Sequence, residues 1–403
     1  MSDDPYAHRR VDAVIEVTDR AGAPLADTDV EVRQIRHAFA FGCTTVDLDA
    51  DESMRELWLD LFDTATLARF YWGRYEPEPG RTARAHVERL ARWYADRGVR
   101  LKGHPLVWHT VKPHWLDTLP LPEAESTLRA RVRREVRDFA GLIDTWDVIN
   151  EVVIMPHFRN EPDGVPNAVT RLAAQKGRVE MVRLAVEEAR SVGTAPFLVL
   201  NDFDLGPEYE QLVEQVLDAG IRIDAIGLQS HMHQGFRGEE GLRDVCDRFA
   251  RFGLPLHWTE TTLVSGDLMP AEIVDLNDHR VDAWPSTPEG EARQADEIVR
   301  HYRTLVAHPA VQSITYWGLD DATAWLHAPA GLVRVDGTPK PAYHALHDLI
   351  RREWWVPART CRSDPDGRIG LAGFAGTYEI TTARGSARVD IAPRTSLAVV
   401  RVA

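Results

Sequence analysis

Hydrophobic and polar positions along this chain fall into two regimes. Through the middle, short apolar runs alternate with stretches whose apolar residues recur every three or four positions. The runs are FAFGC (39–43), ATLARFYW (65–72), LKGHPLVW (101–108), TWDVINE (145–151), PFLVLND (196–202), AIGLQSH (225–231), LPLHWTE (254–260) and SITYWG (313–318). Each is rich in β-formers and short, as expected of a strand buried on both faces. Between them, 83–98, 178–193, 206–220, 241–253, 294–309 and 341–355 carry helical spacing, and the first four end in Gly. This alternation of strand and helix predicts an α/β fold, a closed (β/α)₈ TIM barrel. A doubly wound open sheet is the alternative, but it would more naturally carry a Gly-rich nucleotide turn, and none is visible.

The two ends follow a period of two instead. Residues 11–36 alternate around an AGAP turn, which predicts a β-hairpin, and 366–403 alternate likewise. A lone hairpin is barely stable in water. The expectation is therefore one small accessory β-sandwich beside the barrel, built from both ends: 1–36 as the hairpin, 37–356 as the barrel and 357–403 as the closing strands.

Composition narrows the partners. The chain has 403 residues, 44% hydrophobic and 27% charged, with a net charge of −15 and no basic stripe. That balance argues against nucleic acid and anionic membranes as partners. Cys43, Cys246 and Cys361 are scattered, with neither disulfide framework nor metal spacing, which fits a reducing compartment. The N-terminus lacks the apolar core of a signal peptide, and no run reaches the ~20 apolar residues of a membrane helix. The expectation is a cytoplasmic protein without cofactor or metal, its oligomeric state left open.

Chemistry gathers where the strands end. The third run carries His104, Trp108 and His109, the fourth Asn150 and Glu151, the fifth Asn201 and Asp202. The sixth carries Gln229 and His231, the seventh Glu260, and the eighth Trp317, with Asp320, Asp321 and Trp325 beyond. A carboxylate at a buried strand end is costly unless the fold uses it. Here two apolar runs, the fourth and the seventh, end alike, in INE and WTE, and lie far enough apart around an eight-stranded ring to face one another. Facing carboxylates among indoles and amides suit glycosidic bond cleavage, where one group gives a proton to the leaving oxygen and the other attacks the anomeric carbon.

Plainer readings stand beside this one. His104 and His109 fit core histidines held by backbone carbonyls as well as they fit substrate contacts. His231 and His233 form an HxH that could serve a metal-dependent barrel hydrolase. Trp108 and Trp317 could be barrel packing, and Asp320 and Asp321 are best read as loop caps. A catalytically silent carbohydrate-binding barrel is the alternative of another class.

The motifs GHPLVWH (103–109), WDVINE (146–151), LNDFD (200–204), QSH (229–231), WTE (258–260) and WGLDDATAW (317–325) together resemble the family 10 glycoside hydrolases, the β-1,4-xylanase family, over roughly residues 36–352. The resemblance implies a (β/α)₈ barrel and retaining double displacement, with Glu151 as acid/base and Glu260 as nucleophile. It implies that Asn150 bonds the sugar 2-hydroxyl, that His231 orients Glu260, and that His104, Trp108, Gln229, Trp317 and Trp325 line the sugar site. Two departures matter. The family's Glu-Asn-x-x-Lys-Trp on the second strand is Leu67-Ala68-Arg69-Phe70-Tyr71-Trp72 here, and the customary Leu-Asp after the nucleophile is Thr261-Thr262. Tyr71 thus fills the lysine position, either as packing or against the substrate. The expectation is a retaining β-glycosidase for xylose- or glucose-type sugars that favours short oligosaccharides or small plant glycosides. An ordinary endo-1,4-β-xylanase is the alternative.

Overall fold

The structure, a computed structural model, describes residues 4–159, 161 and 164–402. Residues 1–3 and 403, at the outer ends of the two terminal segments, lie outside these. Spatial contacts divide the chain into two compact units, Gly42–Lys340 and a second made of Met1–Phe41 with Pro341–Ala403. The helix Pro341–Asp348, assigned to the barrel on sequence, falls in the second unit.

Strands β1 (Arg10–Thr18) and β2 (Asp29–His37) open the chain. Eight more follow: β3 (Ala40–Thr44), β4 (Thr64–Leu67), β5 (Arg100–Gly103), β6 (Thr145–Asn150), β7 (Phe197–Asp202), β8 (Ala225–Met232), β9 (Leu256–Leu263) and β10 (Val311–Tyr316). They close a barrel in chain order, β10 beside β3. Pairing is parallel, and β6, β7 and β8 are buried at nearly every position, as expected of mostly apolar strands covered on both faces.

Two runs are shorter strands than the sequence predicts. Strand β4 stops at Leu67, and Tyr71 precedes a short helical turn, Trp72–Tyr75. Strand β5 stops at Gly103. The reason lies in the helix Leu121–Asp138, which the apolar pattern did not predict because its buried face carries Arg131 and Glu135. The Arg131 guanidinium donates to the backbone carbonyls of Phe70 (2.5 Å), Pro105 (3.3 Å) and Leu106, groups that have left the β-ladder. A buried charge with several acceptors is tolerated where a lone one is not. Arg131 thereby pins the backbone beneath Tyr71 and His104. Helices Glu52–Leu61 and Ala168–Lys176 were likewise not predicted.

In the terminal unit, β11 (Arg359–Arg362), β12 (Arg368–Phe374), β13 (Gly376–Thr382), β14 (Gly385–Ile391) and β15 (Leu397–Arg401) complete two sheets, ordered β12-β1-β15 and β11-β2-β13-β14. Both ends of the chain do share one β-structure. The hairpin expectation for 11–36 is wrong, however, because β1 and β2 lie in different sheets. Val11, Ala13, Ile15 and Val17 of β1 share a core with Val30 and Val32 of β2 and with Leu371, Tyr378 and Ile380. Two apolar faces that cover each other need opposite sheets, and the connection over 19–28 crosses between them.

Candidate active site

Register places the amides. Asn150 ends β6 opposite Asn201 on β7, and a shift between Leu228 and Gln229 sets Gln229 opposite Glu260 on β9. Such irregularities re-aim side chains at barrel rims. Asn201 Nδ2 donates to Asn150 Oδ1 at 2.7 Å and to Glu260 Oε1 at 2.8 Å, while Thr259 Oγ1 donates to Asn201 Oδ1 at 2.6 Å. Room for that amide comes from Gly227, where a Cβ would lie 2.5 Å from Asn201 Oδ1. Glu260 is not at a strand end, as the sequence suggested, since β9 runs on to Leu263.

Glu151 follows β6 in a left-handed conformation, φ 55°, with its N–H donating to Asn201 O at 2.9 Å. That backbone costs a non-glycine residue about 1–3 kcal/mol, and such strain concentrates at functional positions. Its carboxylate accepts from Trp108 Nε1 at 2.8 Å, Asn150 Nδ2 at 3.1 Å and Gln229 Nε2 at 3.3 Å. Glu260 Oε2 lies 3.2 Å from His231 Nε2, and Oε1 lies 4.0 Å from His104 Nε2. The two acids are thus joined through Asn150 and Asn201.

Their environments push them apart. Burial, the Glu260 charge and then Asp202 raise the Glu151 carboxyl to about 8, against the bonds from Trp108 and Gln229. Glu260 is buried too, which would raise it, but His104 and His231 outweigh burial and hold it below the usual carboxylate value. One acid is therefore protonated where the other is charged, the condition for dividing proton donor from nucleophile.

The other sequence-predicted residues mostly gather here. His104 Nδ1 is 2.7 Å from the buried Asp147, which also takes Lys102 Nζ at 2.8 Å. Its partner is thus a carboxylate and not a backbone carbonyl. Trp317 packs edge-on to His104 at 5.1 Å, and Trp325, 37% exposed, lies 5.0 Å from His231 between ring centroids. Tyr71 sits 5.3 Å from Trp108 and 5.8 Å from His104. Burial and the charges of Glu260 and Glu151 keep its phenol protonated well past the ordinary tyrosine range. His109 does not join them: it is buried against Phe158 at 4.3 Å, and among the described residues neither ring nitrogen has a partner, so no described carbonyl holds it either. Asp320 caps Thr323, and Asp321 binds Lys340 and Gly331, both loop roles. Among the described residues, no three or more His, Cys, Asp or Glu side chains are placed to hold a metal ion, so the HxH lacks a ligand set.

Sequence reasoning did not assign site roles to Asn201, Asp147, Lys102, Thr259 or Asp202. Four of these lie inside the quoted motifs, so the signal was present, but which side chain meets which depends on register. Burial raises Asp202 to about 7, against the bonds from Val153 N–H and Asp204 N–H, each at 3.0 Å.

A closed parallel barrel with paired acids, amides and indoles in one mouth places this chain among the (β/α)₈ glycoside hydrolases. It belongs to glycosyl hydrolase family 10, whose model matches residues 35–349. An anti-sigma-I factor of Acetivibrio thermocellus is 24% identical over 93% of this chain and 45% of its own length. Endo-1,4-beta-xylanase C of Paenibacillus barcinonensis is 24% identical over 76% of this chain and 30% of its own. The chain therefore spans less than half the length of these two relatives. An endo-1,4-beta-xylanase of Geobacillus stearothermophilus is 27% identical over 66% of this chain and 82% of its own. Among solved structures, a family 10 domain from Paenibacillus barcinonensis superposes with a TM-score of 0.65 at 24% identity, covering 78% of this chain and 96% of that one. A xylanase 10B from Thermotoga petrophila, in complex with xylobiose, gives 0.63 at 21%, covering 78% and 95%. These likenesses show the fold.

Proposed function

We propose that this chain hydrolyses β-glycosidic bonds of xylose- or glucose-type sugars with retention, Glu151 serving as acid/base and Glu260 as nucleophile. The observation that carries this is the pair itself: Glu151, half-buried and bonded to Trp108, kept protonated, and Glu260 kept charged by His231, His104 and Asn201. In the first step Glu151 protonates the leaving oxygen while Glu260 attacks the anomeric carbon. In the second, ionised Glu151 takes a proton from the water that releases the sugar. His231 and Asn201 orient Glu260, and Asn150 donates toward the sugar 2-hydroxyl.

A pH profile tests the division of labour. Glu260 must be ionised, so kcat/KM should rise through a limb below the ordinary Glu value. Glu151 must be protonated, so kcat/KM should fall through a limb near pH 8, about tenfold per unit beyond it. A basic limb near pH 5 would remove Glu151 from the acid role.

The substrate reading rests on β4. Leu67 is fully buried at its end, and Tyr71 stands over His104 and Trp108 where the family has lysine. Three side chains able to bond hydroxyls are thereby replaced, each worth on the order of 1 kcal/mol. A site stripped of its donors loses preference for long chains. The relatives named as endo-xylanases favour the alternative, xylan itself. We expect the best short oligosaccharide or aryl β-glycoside to exceed polymeric xylan at least tenfold in kcat/KM, about 1.4 kcal/mol of transition-state preference. Equal efficiency on both would return the chain to the ordinary xylanases.

A further inference from the structure

We propose that Thr262 is a positioning residue that keeps His231 in its neutral Nε2–H tautomer, so that Glu260 is braced by a neutral donor and not by an imidazolium. This rests on reading Glu260 as the nucleophile, but its first test reads ring protons and not turnover.

Strands β8 and β9 set His231 opposite Thr262, and two-residue spacing puts Thr262 on the same side of β9 as Glu260. His231 Nε2 faces Glu260 Oε2 at 3.2 Å, and its Nδ1 faces Thr262 Oγ1 at 3.4 Å. The same oxygen accepts Met232 N–H at 3.2 Å and lies 3.5 Å from His233 Nδ1. A hydroxyl offers one proton and two lone pairs. Glu260, ionised, can only accept, so His231 Nε2 carries a proton. With the lone pairs taken by Met232 N–H and His233 Nδ1–H, the hydroxyl proton goes to His231 Nδ1, which must then be bare. Both imidazoles come out neutral.

The reverse assignment charges His231 and gives the hydroxyl proton to His233. It would leave His233 Nε2–H as a buried donor, and that atom has no partner among the described residues. Orphaned buried N–H groups are rarer than orphaned acceptors. The groups facing His231 support the neutral form. Strand β9 presents Glu260 and Thr262, the chain beyond β8 presents His233, and the segment after β10 presents Trp317 and Trp325. His104 lies across Glu260, and none of these groups is an acid set against Nδ1. An aspartate at 262, where the family customarily has one, would face Nδ1 with an acceptor-only group and hold a second proton there.

The consequence is a nucleophile that keeps more of its charge for attack. The test is ¹⁵N NMR of the full chain labelled at histidine, at pH 7, with His231 assigned through His231→Gln. The expected result is one protonated-type and one bare-type ring nitrogen for His231, becoming two protonated-type nitrogens in Thr262→Asp. In turnover, Thr262→Val should lower kcat about tenfold with KM within about twofold, and Thr262→Ser should restore it. Two protonated-type nitrogens in the native chain at pH 7 would overturn the proposal, whether or not any variant folds. So would an unchanged His231 pattern in folded Thr262→Asp.

Discussion

Glu260→Ala is expected to lose about 10⁵-fold or more in kcat/KM on every glycoside the chain cleaves, roughly 7 kcal/mol of transition-state stabilisation. The size of the effect follows from the chemistry, since among the described residues no other group is placed to attack from that face. Its neighbours on the carboxylate are His231, His104 and Asn201, which orient it and hold its charge but offer no second carboxylate on that face. Removing the side chain also leaves the Asn201 amide with one acceptor fewer, so binding should weaken modestly as well. Added azide can occupy the vacated space and attack from the same face, giving an α-configured glycosyl azide. Restoration of β-configured product by azide, or a loss below a hundredfold, would take the nucleophile's role from Glu260. The same variant separates an enzyme from a silent carbohydrate-binding barrel, because a binder would have no turnover to lose.

Glu151→Ala should divide substrates by their leaving groups. Proton donation contributes about 10²–10⁴-fold where the departing oxygen is a poor leaving group, and little where it is already activated. A β-linked disaccharide should therefore lose about 10³-fold or more in kcat/KM, and a nitrophenyl glycoside less than about tenfold in its first step. The second step still lacks its base, so the activated substrate should show a burst followed by slow turnover. Azide, needing no base, should relieve that slow phase and give β-configured glycosyl azide. Equal losses on both substrate classes would assign the 2.8 Å contact from Trp108 to structure and seek the acid elsewhere.

The sequence carried most of this site, and the reasons for its failures are physical. Glu151, Glu260, Asn150, Gln229 and His231 were legible because each ends or punctuates an apolar run, where a polar residue has no structural excuse. The Asn201 bridge was not assigned, since it depends on Gly227 making room and on register set by shifts of pairing, neither of which a linear pattern records. The helix Leu121–Asp138 escaped because Arg131 and Glu135 interrupt the apolar stripe on its buried face. Those two residues look like surface charge in sequence and are among the most buried polar groups of the barrel. At the N-terminus, alternation reported that β1 and β2 each bury one face, but it could not say which sheet each joins. A hairpin and two strands crossing between facing sheets have the same period.

The account stands on a covalent intermediate at one named atom, a carboxylate oxygen of Glu260. The most direct measurement is to incubate the chain with activated 2-fluoro β-xylosides and β-glucosides, which slow the second step, and to map the adduct by mass spectrometry of proteolytic peptides. The result expected is a single sugar per chain, carried on the peptide containing Glu260 and turned over slowly with retained configuration. An adduct on any other residue, or cleavage of these substrates to α-configured sugar without any adduct, would contradict it.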